Sequence, residues 1–115
     1  GHVLIVEDNL LVAMDAESLI SDLGAETIDV AASVAAAIDA IERRTPDLAI
    51  LDINLGTESS LPVAARLTEL GVPFGFASGY GDRVALPAAY NAVPRVSKPL
   101  SMDSLRRFLA ALDEG

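Results

Sequence analysis

Carboxylate side chains follow two apolar runs of the chain, at points where strands of a sheet are predicted to end. Glu7 and Asp8 come directly after a Val-Leu-Ile-Val run, and Asp52 follows a Leu-Ala-Ile-Leu run. Two like charges at close range repel by about 4 kcal/mol at an effective dielectric constant near 20, so gathering these carboxylates requires a compensating cation. Magnesium would serve, and so would Lys98, which precedes Pro99 after a later apolar run. The pattern predicts an acidic, metal-binding phosphorylation site.

Each of these residues also has an ordinary explanation when it is taken singly. Glu7 and Asp8 stand where a helix N-cap is expected, and Asp52 could be a turn residue. Ser78 precedes a glycine and could also belong to a turn, and Lys98 could be a solvated surface lysine. Turns do not require three acids, one hydroxyl and one lysine at four matching strand ends. We therefore favour a functional site over these separate explanations.

Apolar, β-branched runs alternate with segments of helical periodicity along the whole chain. That alternation predicts an α/β fold, a doubly wound five-stranded parallel sheet with helices on both faces. Ligands of such sheets bind outside the carboxyl ends of the strands, and every polar candidate falls at such an end. The predicted strands are residues 2–6, 27–31, 48–51, 72–77 and 93–97, within a single domain over residues 1–115.

Capping residues mark where the predicted helices begin. Asn9 is the expected N-cap of the first helix, over residues 10–23. Ser33 is expected to cap the second helix and Ser101 the last one. In the third helix, Leu70 is predicted to face the core.

Two parts of the pattern are irregular. The segment 79–91 is the weakest predicted helix, expected to be short or mobile, because two glycines and a proline oppose it. Tyr90 is one of three apolar residues that could anchor it. Gly75 interrupts the fourth strand, and we expect it to make room for a neighbouring side chain.

Composition and charge exclude several classes of function. A net charge of −9 and scattered basic residues argue against a nucleic-acid surface or an anionic membrane surface. The chain has no Cys and a single His, so thiol catalysis, disulfides and a histidine metal cluster are excluded. No apolar stretch reaches the roughly 18 residues that a membrane span needs. These features fit a cytoplasmic protein.

At this point the chain resembles the receiver domain of two-component response regulators over essentially its whole length. The family pattern is an acidic pair after strand one, an acceptor Asp after strand three, Thr or Ser after strand four, and Lys-Pro after strand five. The corresponding residues here are Glu7-Asp8, Asp52, Ser78 and Lys98-Pro99. The resemblance implies a flavodoxin-like (βα)5 fold with strand order 2-1-3-4-5, and a signalling domain, not an enzyme in the usual sense.

The resemblance also implies a role for each site residue. Asp52 would accept a phosphoryl group from the phosphohistidine of a histidine kinase or phosphotransfer protein. Asp8 and Asp52 would bind Mg²⁺ through side-chain oxygens, Asn54 through its backbone carbonyl and Glu7 through water. The chemistry agrees, because Mg²⁺ prefers oxygen ligands and leaves coordination positions for a phosphodonor. An effector domain in a longer chain is a further possible partner, and the sequence leaves open whether this receiver acts alone.

Phosphoryl transfer needs positioning and charge neutralisation more than covalent help. Lys98 would neutralise the equatorial oxygens, and Ser78 would donate a hydrogen bond to the acyl phosphate.

The chain departs from the family pattern at one position that bears on output. Receivers commonly carry an aromatic residue three positions before the strand-five lysine, and here that residue is Arg95. An arginine cannot be buried by the same rotamer change without a charge partner. The run around Tyr80 is similar to a Phe-Ala-Thr-Gly subgroup of receivers associated with HWE-type histidine kinases, often in alphaproteobacteria. We therefore hypothesise that Tyr80 and the segment to residue 91 report the phosphorylation state.

Two other functions remain as alternatives. A haloacid-dehalogenase-like phosphatase also uses a nucleophilic Asp with Mg²⁺, but it generally needs a second Asp where this chain has Asn54. The other alternative is a receiver-like interaction module that has lost phosphorylation. The departure at Arg95 favours this alternative, and the intact set of acidic residues argues against it.

Overall fold

A computed structural model describes residues 1–55, 58–78, 88–90, 92–98 and 100–114. Helices and strands alternate through these residues, as the hydrophobic pattern predicts. In chain order the elements are β1 (His2–Val6), α1 (Leu10–Asp22), β2 (Thr27–Ala31), α2 (Val34–Arg43), β3 (Leu48–Asp52), β4 (Asn54–Leu55), β5 (Glu58–Ser59), α3 (Leu61–Leu70), β6 (Phe74–Ser78), β7 (Arg95–Ser97) and α4 (Met102–Glu114).

Five of these strands form one parallel sheet in the order β2-β1-β3-β6-β7. Counted along the chain without the two short strands, this order is 2-1-3-4-5, so the predicted flavodoxin-like fold is confirmed. Strands β4 and β5 form a separate antiparallel hairpin directly after β3. The sequence did not predict this hairpin, because its strands are only two residues long and carry no period that could reveal them.

Strand β1, which lies between β2 and β3, is buried along its whole length, so its alternating side chains contribute to two separate cores. Leu4 and Val6 belong to the core that includes buried residues of α2 and α3. Val3 and Ile5 belong to the core that includes buried residues of α1 and α4. Helices therefore cover both faces of the sheet, and the carboxyl ends of its parallel strands lie together at one edge.

The helix caps largely follow the sequence prediction. The Asn9 side chain accepts hydrogen bonds from the backbone of Leu11 at 3.0 Å and of Val12 at 3.3 Å, which confirms it as the N-cap of α1. The prediction for Leu70 was wrong, because its side chain is 40% exposed. It lies at the last position of α3, where Gly71 turns the chain with φ +71°.

Gly75 lies against the ring of Phe108, which crosses β6 from α4. A Cβ atom at Gly75 would overlap this ring and would lie 2.8 Å from the carbonyl oxygen of Pro94. The glycine therefore makes room for Phe108, the side chain that the sequence could not name.

Most of the predicted weak helix at 79–91 lies outside the described residues, and within it residues 88–90 form a 3-10 turn. The fourth strand begins two residues later than predicted and extends one residue further, to Ser78. The fifth strand is confined to Arg95–Ser97. Among the described helices, none is long and apolar enough to cross a bilayer.

Candidate functional site

Lys98 joins two buried carboxylates at the carboxyl edge of the sheet. Its Nζ donates a 2.7 Å hydrogen bond to Oε2 of Glu7 and a 2.9 Å hydrogen bond to Oδ2 of Asp52. The two carboxylate side chains are 4% and 5% exposed, and that of Lys98 is 18% exposed. The three residues come from distant parts of the chain, and the sheet brings them together. The sequence pattern predicted that they follow neighbouring strands, but it could not show these contacts.

Backbone pairing at the strand ends positions the three groups. The Glu7 amide donates to the carbonyl of Ala31 at 3.0 Å, which continues the pairing of β1 with β2 by one residue. The Lys98 amide donates to the carbonyl of Ser78 at 2.8 Å, which likewise continues the pairing of β7 with β6. Asp52 is the last residue of β3. All three side chains therefore start from backbone that is paired with a neighbouring strand.

The neighbouring helix also contributes to the site. The backbone N–H of Asn9 donates to Oε1 of Glu7 at 3.1 Å, while the Asn9 side chain caps α1. Both carboxylate oxygens of Glu7 are thus occupied, one by Lys98 and one by this amide. Sequence reasoning missed this contact, because an acid three residues before the first residue of a helix gives no sign of which backbone amide will donate to it.

Burial and crowding of charge shift the pKa values in this cluster. Burial, reinforced by the charge of Asp52, raises the pKa of Glu7 to about 7, although the hydrogen bonds from Lys98 and Asn9 act in the opposite direction. Burial alone would lower the pKa of Lys98, but its hydrogen bonds to Glu7 and Asp52 raise the pKa above its ordinary value. One ammonium group therefore stabilises two carboxylates incompletely, and the site retains an excess of negative charge.

The arrangement of the carboxylates fits a divalent cation. Glu7, Asp8 and Asp52 each offer an oxygen, and these oxygens all lie within 4.8 Å of one another. Asp8 is exposed while its two partners are buried, so the cluster is open to solvent on one side. When all three carboxylates are ionised, the cluster and the Lys98 ammonium group together carry two net negative charges, and an all-oxygen donor set with one open side suits Mg²⁺.

The other residues that the sequence analysis singled out are not part of this cluster of charged side chains. Ser78 is half-buried at the end of β6, one residue beyond the Ala77 that pairs with Asp52. Asn54 is in β4, two residues after Asp52, and its role as a ligand stays a prediction. Arg95 is exposed at the start of β7. Tyr80 and Pro99 lie outside the described residues.

A cluster of three aromatic rings adjoins the strand that leads to the site. Phe74 and Phe76 of β6 have ring centroids 5.8 Å apart, and Tyr90 lies 6.0 Å from each in an edge-to-face arrangement. Tyr90 had been predicted as one possible anchor of its segment, and this packing confirms that it anchors the described turn. Arg95 pairs in register with Phe76 but is exposed, so the expected conflict between an arginine and a buried aromatic position is avoided.

The β4–β5 hairpin after Asp52 is held in place by two contacts that the sequence did not reveal. The carboxylate of Glu58 accepts a 3.2 Å hydrogen bond from the amide of Val34, at the beginning of α2. Ser60 is fully buried and its hydroxyl donates to the carbonyl of Ile53 at 3.4 Å. The chain that leaves Asp52 is therefore tied to α2 and folded back on itself.

The fold and this cluster of Glu7, Asp8, Asp52 and Lys98 define a class of protein. Residues 3–110 match the response regulator receiver domain family, and the chain belongs to that family. It is accordingly a receiver domain of two-component signalling. The predicted family is confirmed, and the haloacid-dehalogenase-like alternative loses its basis.

Individual relatives support the same assignment. The chain is 36% identical over 112 residues to the sensory transduction protein LytT of Enterococcus faecalis, covering 94% of this chain and 46% of LytT. It is 38% identical over 85 residues to the phyllosphere-induced regulator PhyR of Methylorubrum extorquens, covering 71% of this chain and 32% of PhyR. The chain thus spans less than half the length of either regulator.

Among solved structures, SdrG from Sphingomonas melonis Fr1 has a similar fold and a similar size. Its solution structure matches with a TM-score of 0.86 and 38% identity, covering 96% of this chain and 94% of SdrG. The BeF3-activated conformation of SdrG matches with a TM-score of 0.81 over the same coverage. SdrG itself therefore adopts an activated conformation in the presence of a beryllofluoride group.

Proposed function

We propose that this receiver accepts a phosphoryl group on Asp52 from the phosphohistidine of a histidine kinase or phosphotransfer protein, in a Mg²⁺-dependent reaction in the cytoplasm. The observation that carries the proposal is the pair of contacts made by Lys98, which holds Asp52 and Glu7 together beside the exposed Asp8. The finer assignments for Ser78 and Asn54 follow from their positions after β6 and β3 and from the family resemblance.

In the proposed reaction an Oδ atom of Asp52 attacks phosphorus as the bond from phosphorus to the donor imidazole nitrogen breaks. The imidazole leaves with the bonding electron pair and takes up a proton, and an acyl phosphate remains on Asp52. Lys98 is already within hydrogen-bonding distance of Asp52 and neutralises charge that develops on the transferred group. Ser78 donates its hydroxyl hydrogen to a phosphoryl oxygen.

Asp8 and Asp52 would hold Mg²⁺ directly, with Glu7 acting through water and Asn54 through its backbone carbonyl. The bound ion would supply charge neutralisation and in-line orientation of the phosphoryl oxygens. Glu7 suits water-mediated binding of the ion, because its two carboxylate oxygens already accept hydrogen bonds from Lys98 and from the Asn9 amide. Asp8 is the exposed member of the set, so it is the carboxylate that an arriving ion meets first.

The signal would be a change of conformation and not a chemical product. Phosphorylation of Asp52 adds negative charge and draws Lys98 and Ser78 toward the phosphoryl oxygens. This movement favours a second conformation at the ends of β6 and β7. The existence of a BeF3-activated conformation of SdrG supports a similar two-state behaviour here. Slow loss of the phosphoryl group to water would then reset the domain.

Intact-mass analysis after incubation with acetyl phosphate tests the proposal directly. We expect a gain of one phosphoryl group that requires Mg²⁺ and that Asp52→Asn lacks. Asp39→Asn is a matched control, because Asp39 is an exposed acid on α2 whose partner is Arg43. Normal phosphorylation of Asp52→Asn would overturn the assignment of the acceptor.

The second candidate function is a receiver-like interaction module that works without phosphorylation. The exposed Arg95, in place of the usual aromatic residue, is the observation that favours it. Calorimetric titration with Mg²⁺ separates the two functions. A protein that binds neither Mg²⁺ nor a phosphoryl group would be the interaction module, whereas Mg²⁺ binding that Asp8→Asn weakens supports the phosphoacceptor.

A further inference from the structure

The hairpin after Asp52 carries a backbone group that the proposed reaction uses. Asn54 is the first residue of β4, and in the proposed function its carbonyl oxygen binds Mg²⁺. The hairpin consists of two residue pairs, in which Asn54 lies opposite Ser59 and Leu55 lies opposite Glu58. A two-stranded hairpin is marginally stable by itself in water. Contacts with the rest of the protein must therefore hold this one in place.

The base of the hairpin is fixed beside the end of β3. Ser60 is the N-cap residue of α3, but its side chain makes no capping hydrogen bond to that helix. Its fully buried hydroxyl donates instead to the carbonyl of Ile53 at 3.4 Å. The Ile53 amide in turn donates to the carbonyl of Ala77 on β6 at 3.1 Å. Leu55 is buried in the core, but apolar packing has no preferred direction and does not orient a neighbouring carbonyl.

Glu58 holds the second strand of the hairpin to α2. This residue is exposed, and its Oε1 accepts a 3.2 Å hydrogen bond from the amide of Val34, the first residue of α2. The first amides of a helix have no partner within the helix, and the positive end of the helix dipole favours a carboxylate. The Ser33 side chain caps the same helix through the amide of Ala36 at 3.1 Å. Glu58 therefore adds a directional contact between β5 and a helix that already has its own cap.

We infer that Glu58 is a positioning residue for Mg²⁺ binding. Its contact with Val34 fixes β5, and the pairing of β5 with β4 then orients the backbone carbonyl of Asn54. Glu58 acts through this carbonyl and not as a ligand. The inference rests on the proposed function and deepens it, because it extends the metal site to a residue outside the acidic cluster.

Calorimetric titration with Mg²⁺, with no phosphodonor present, measures the effect directly. We expect Glu58→Ala to weaken Mg²⁺ binding by about threefold, the loss that follows when one hydrogen bond no longer orients the carbonyl. Glu58→Gln should retain most of the affinity, because its amide oxygen can accept the same hydrogen bond. Glu42→Ala is the control for loss of charge, because Glu42 is an exposed acid in the last turn of α2.

The rate of phosphorylation by acetyl phosphate at increasing Mg²⁺ gives a second readout. Glu58→Ala should need about threefold more Mg²⁺ to reach half its maximal rate. At saturating Mg²⁺ it should reach the wild-type rate, because the groups that react at Asp52 are unchanged. A lower maximal rate with an unchanged Mg²⁺ requirement would place the effect on phosphoryl transfer and overturn the inference.

Urea denaturation and circular dichroism separate positioning from a role in stability alone. A Glu58→Ala variant that is folded, less stable and unchanged in Mg²⁺ affinity would show that Glu58 only stabilises α2, which overturns this inference and leaves the proposed function intact. Equal weakening in Glu58→Ala, Glu58→Gln and Glu42→Ala would assign the effect to charge and likewise overturn it. A wild-type protein that binds no Mg²⁺ would overturn the proposed function together with the inference.

Discussion

The Nζ atom of Lys98 lies 2.7 Å from a carboxylate oxygen of Glu7 and 2.9 Å from one of Asp52, so the lysine is shared almost evenly between the two acids. Sequence reasoning had offered Lys98 both as a cation for the gathered carboxylates and as a partner of the phosphoryl group, without showing which acids it contacts. The contact with Glu7 means that Lys98 also has a role before phosphorylation, because it keeps two buried like charges in one site. Stability, metal binding and phosphorylation are therefore linked through one side chain.

Replacement of Lys98 by alanine should destabilise the protein when no divalent ion is present. The variant leaves two buried carboxylates without their cation, and we expect a loss of about 2 kcal/mol, less than for a fully dry pair because the site is open at Asp8. Mg²⁺ should restore part of this loss, since it supplies the missing positive charge. Urea denaturation in EDTA and in excess Mg²⁺ measures both effects. A variant with unchanged stability in EDTA would show that Lys98 does not hold the acids together.

The same variant should separate metal binding from response. We expect Lys98→Ala to retain Mg²⁺ binding in calorimetry, because the oxygens of Asp8 and Asp52 remain. Its phosphorylation by acetyl phosphate should be impaired, because no ammonium group neutralises the transferred phosphoryl oxygens. Arg44→Ala serves as the control for loss of an exposed positive charge outside the site. Loss of Mg²⁺ binding together with phosphorylation would contradict this division of roles.

Stability without metal should fall as the pH rises from about 4.5 to about 7. The pKa of Glu7 is raised from 4.5 to about 7 in the folded protein, mainly by burial, so in this window the folded state holds a proton that the unfolded state has lost. The free energy of unfolding therefore decreases with pH and levels off above pH 7, by an amount on the order of 2 kcal/mol. Glu7→Gln cannot ionise and should lack this component.

Urea denaturation of the wild type and of Glu7→Gln in EDTA, from pH 5 to pH 8, isolates the contribution of Glu7 from that of other groups. The variant should gain stability relative to the wild type as the pH rises. A constant difference between the two proteins would show that the pKa of Glu7 is not raised. In the wild type, Mg²⁺ affinity should rise over the same range, because Mg²⁺ and the proton compete for the acidic cluster.

Gly75→Ala should destabilise the protein by about 2 kcal/mol through overpacking. The added Cβ overlaps the ring of Phe108 and approaches the carbonyl oxygen of Pro94, so α4 must shift away from β6. The double variant with Phe108→Leu should cost less than the sum of the two single changes, because leucine withdraws from the overlap. Thermal or urea unfolding of the four proteins provides this cycle. Additive losses would mean that Phe108 is not what requires the glycine.

The parts of the molecule that the sequence predicted are those governed by repeating patterns. The strand order, the N-cap Asn9 and the acidic cluster follow from periodicity, from capping chemistry and from the convergence of strand ends. The partner of Gly75, the sharing of Lys98 and the hairpin after Asp52 depend on contacts between distant residues. Such contacts leave no local signal in a single sequence, so they required the folded chain.

The hypothesis that residues 80–91 report phosphorylation can be tested with beryllofluoride, which mimics a phosphoryl group on a carboxylate. We expect amide signals of this segment to shift when BeF₃⁻ and Mg²⁺ are added, and Asp52→Asn to show no shift. Tyr90 offers a route, because its ring contacts Phe76, which lies two residues before Ser78 on β6. Tyr90→Leu should therefore reduce the shifts in the segment while leaving those near Asp52. Signals from residues 80–91 that stay unchanged in the wild type would refute the hypothesis.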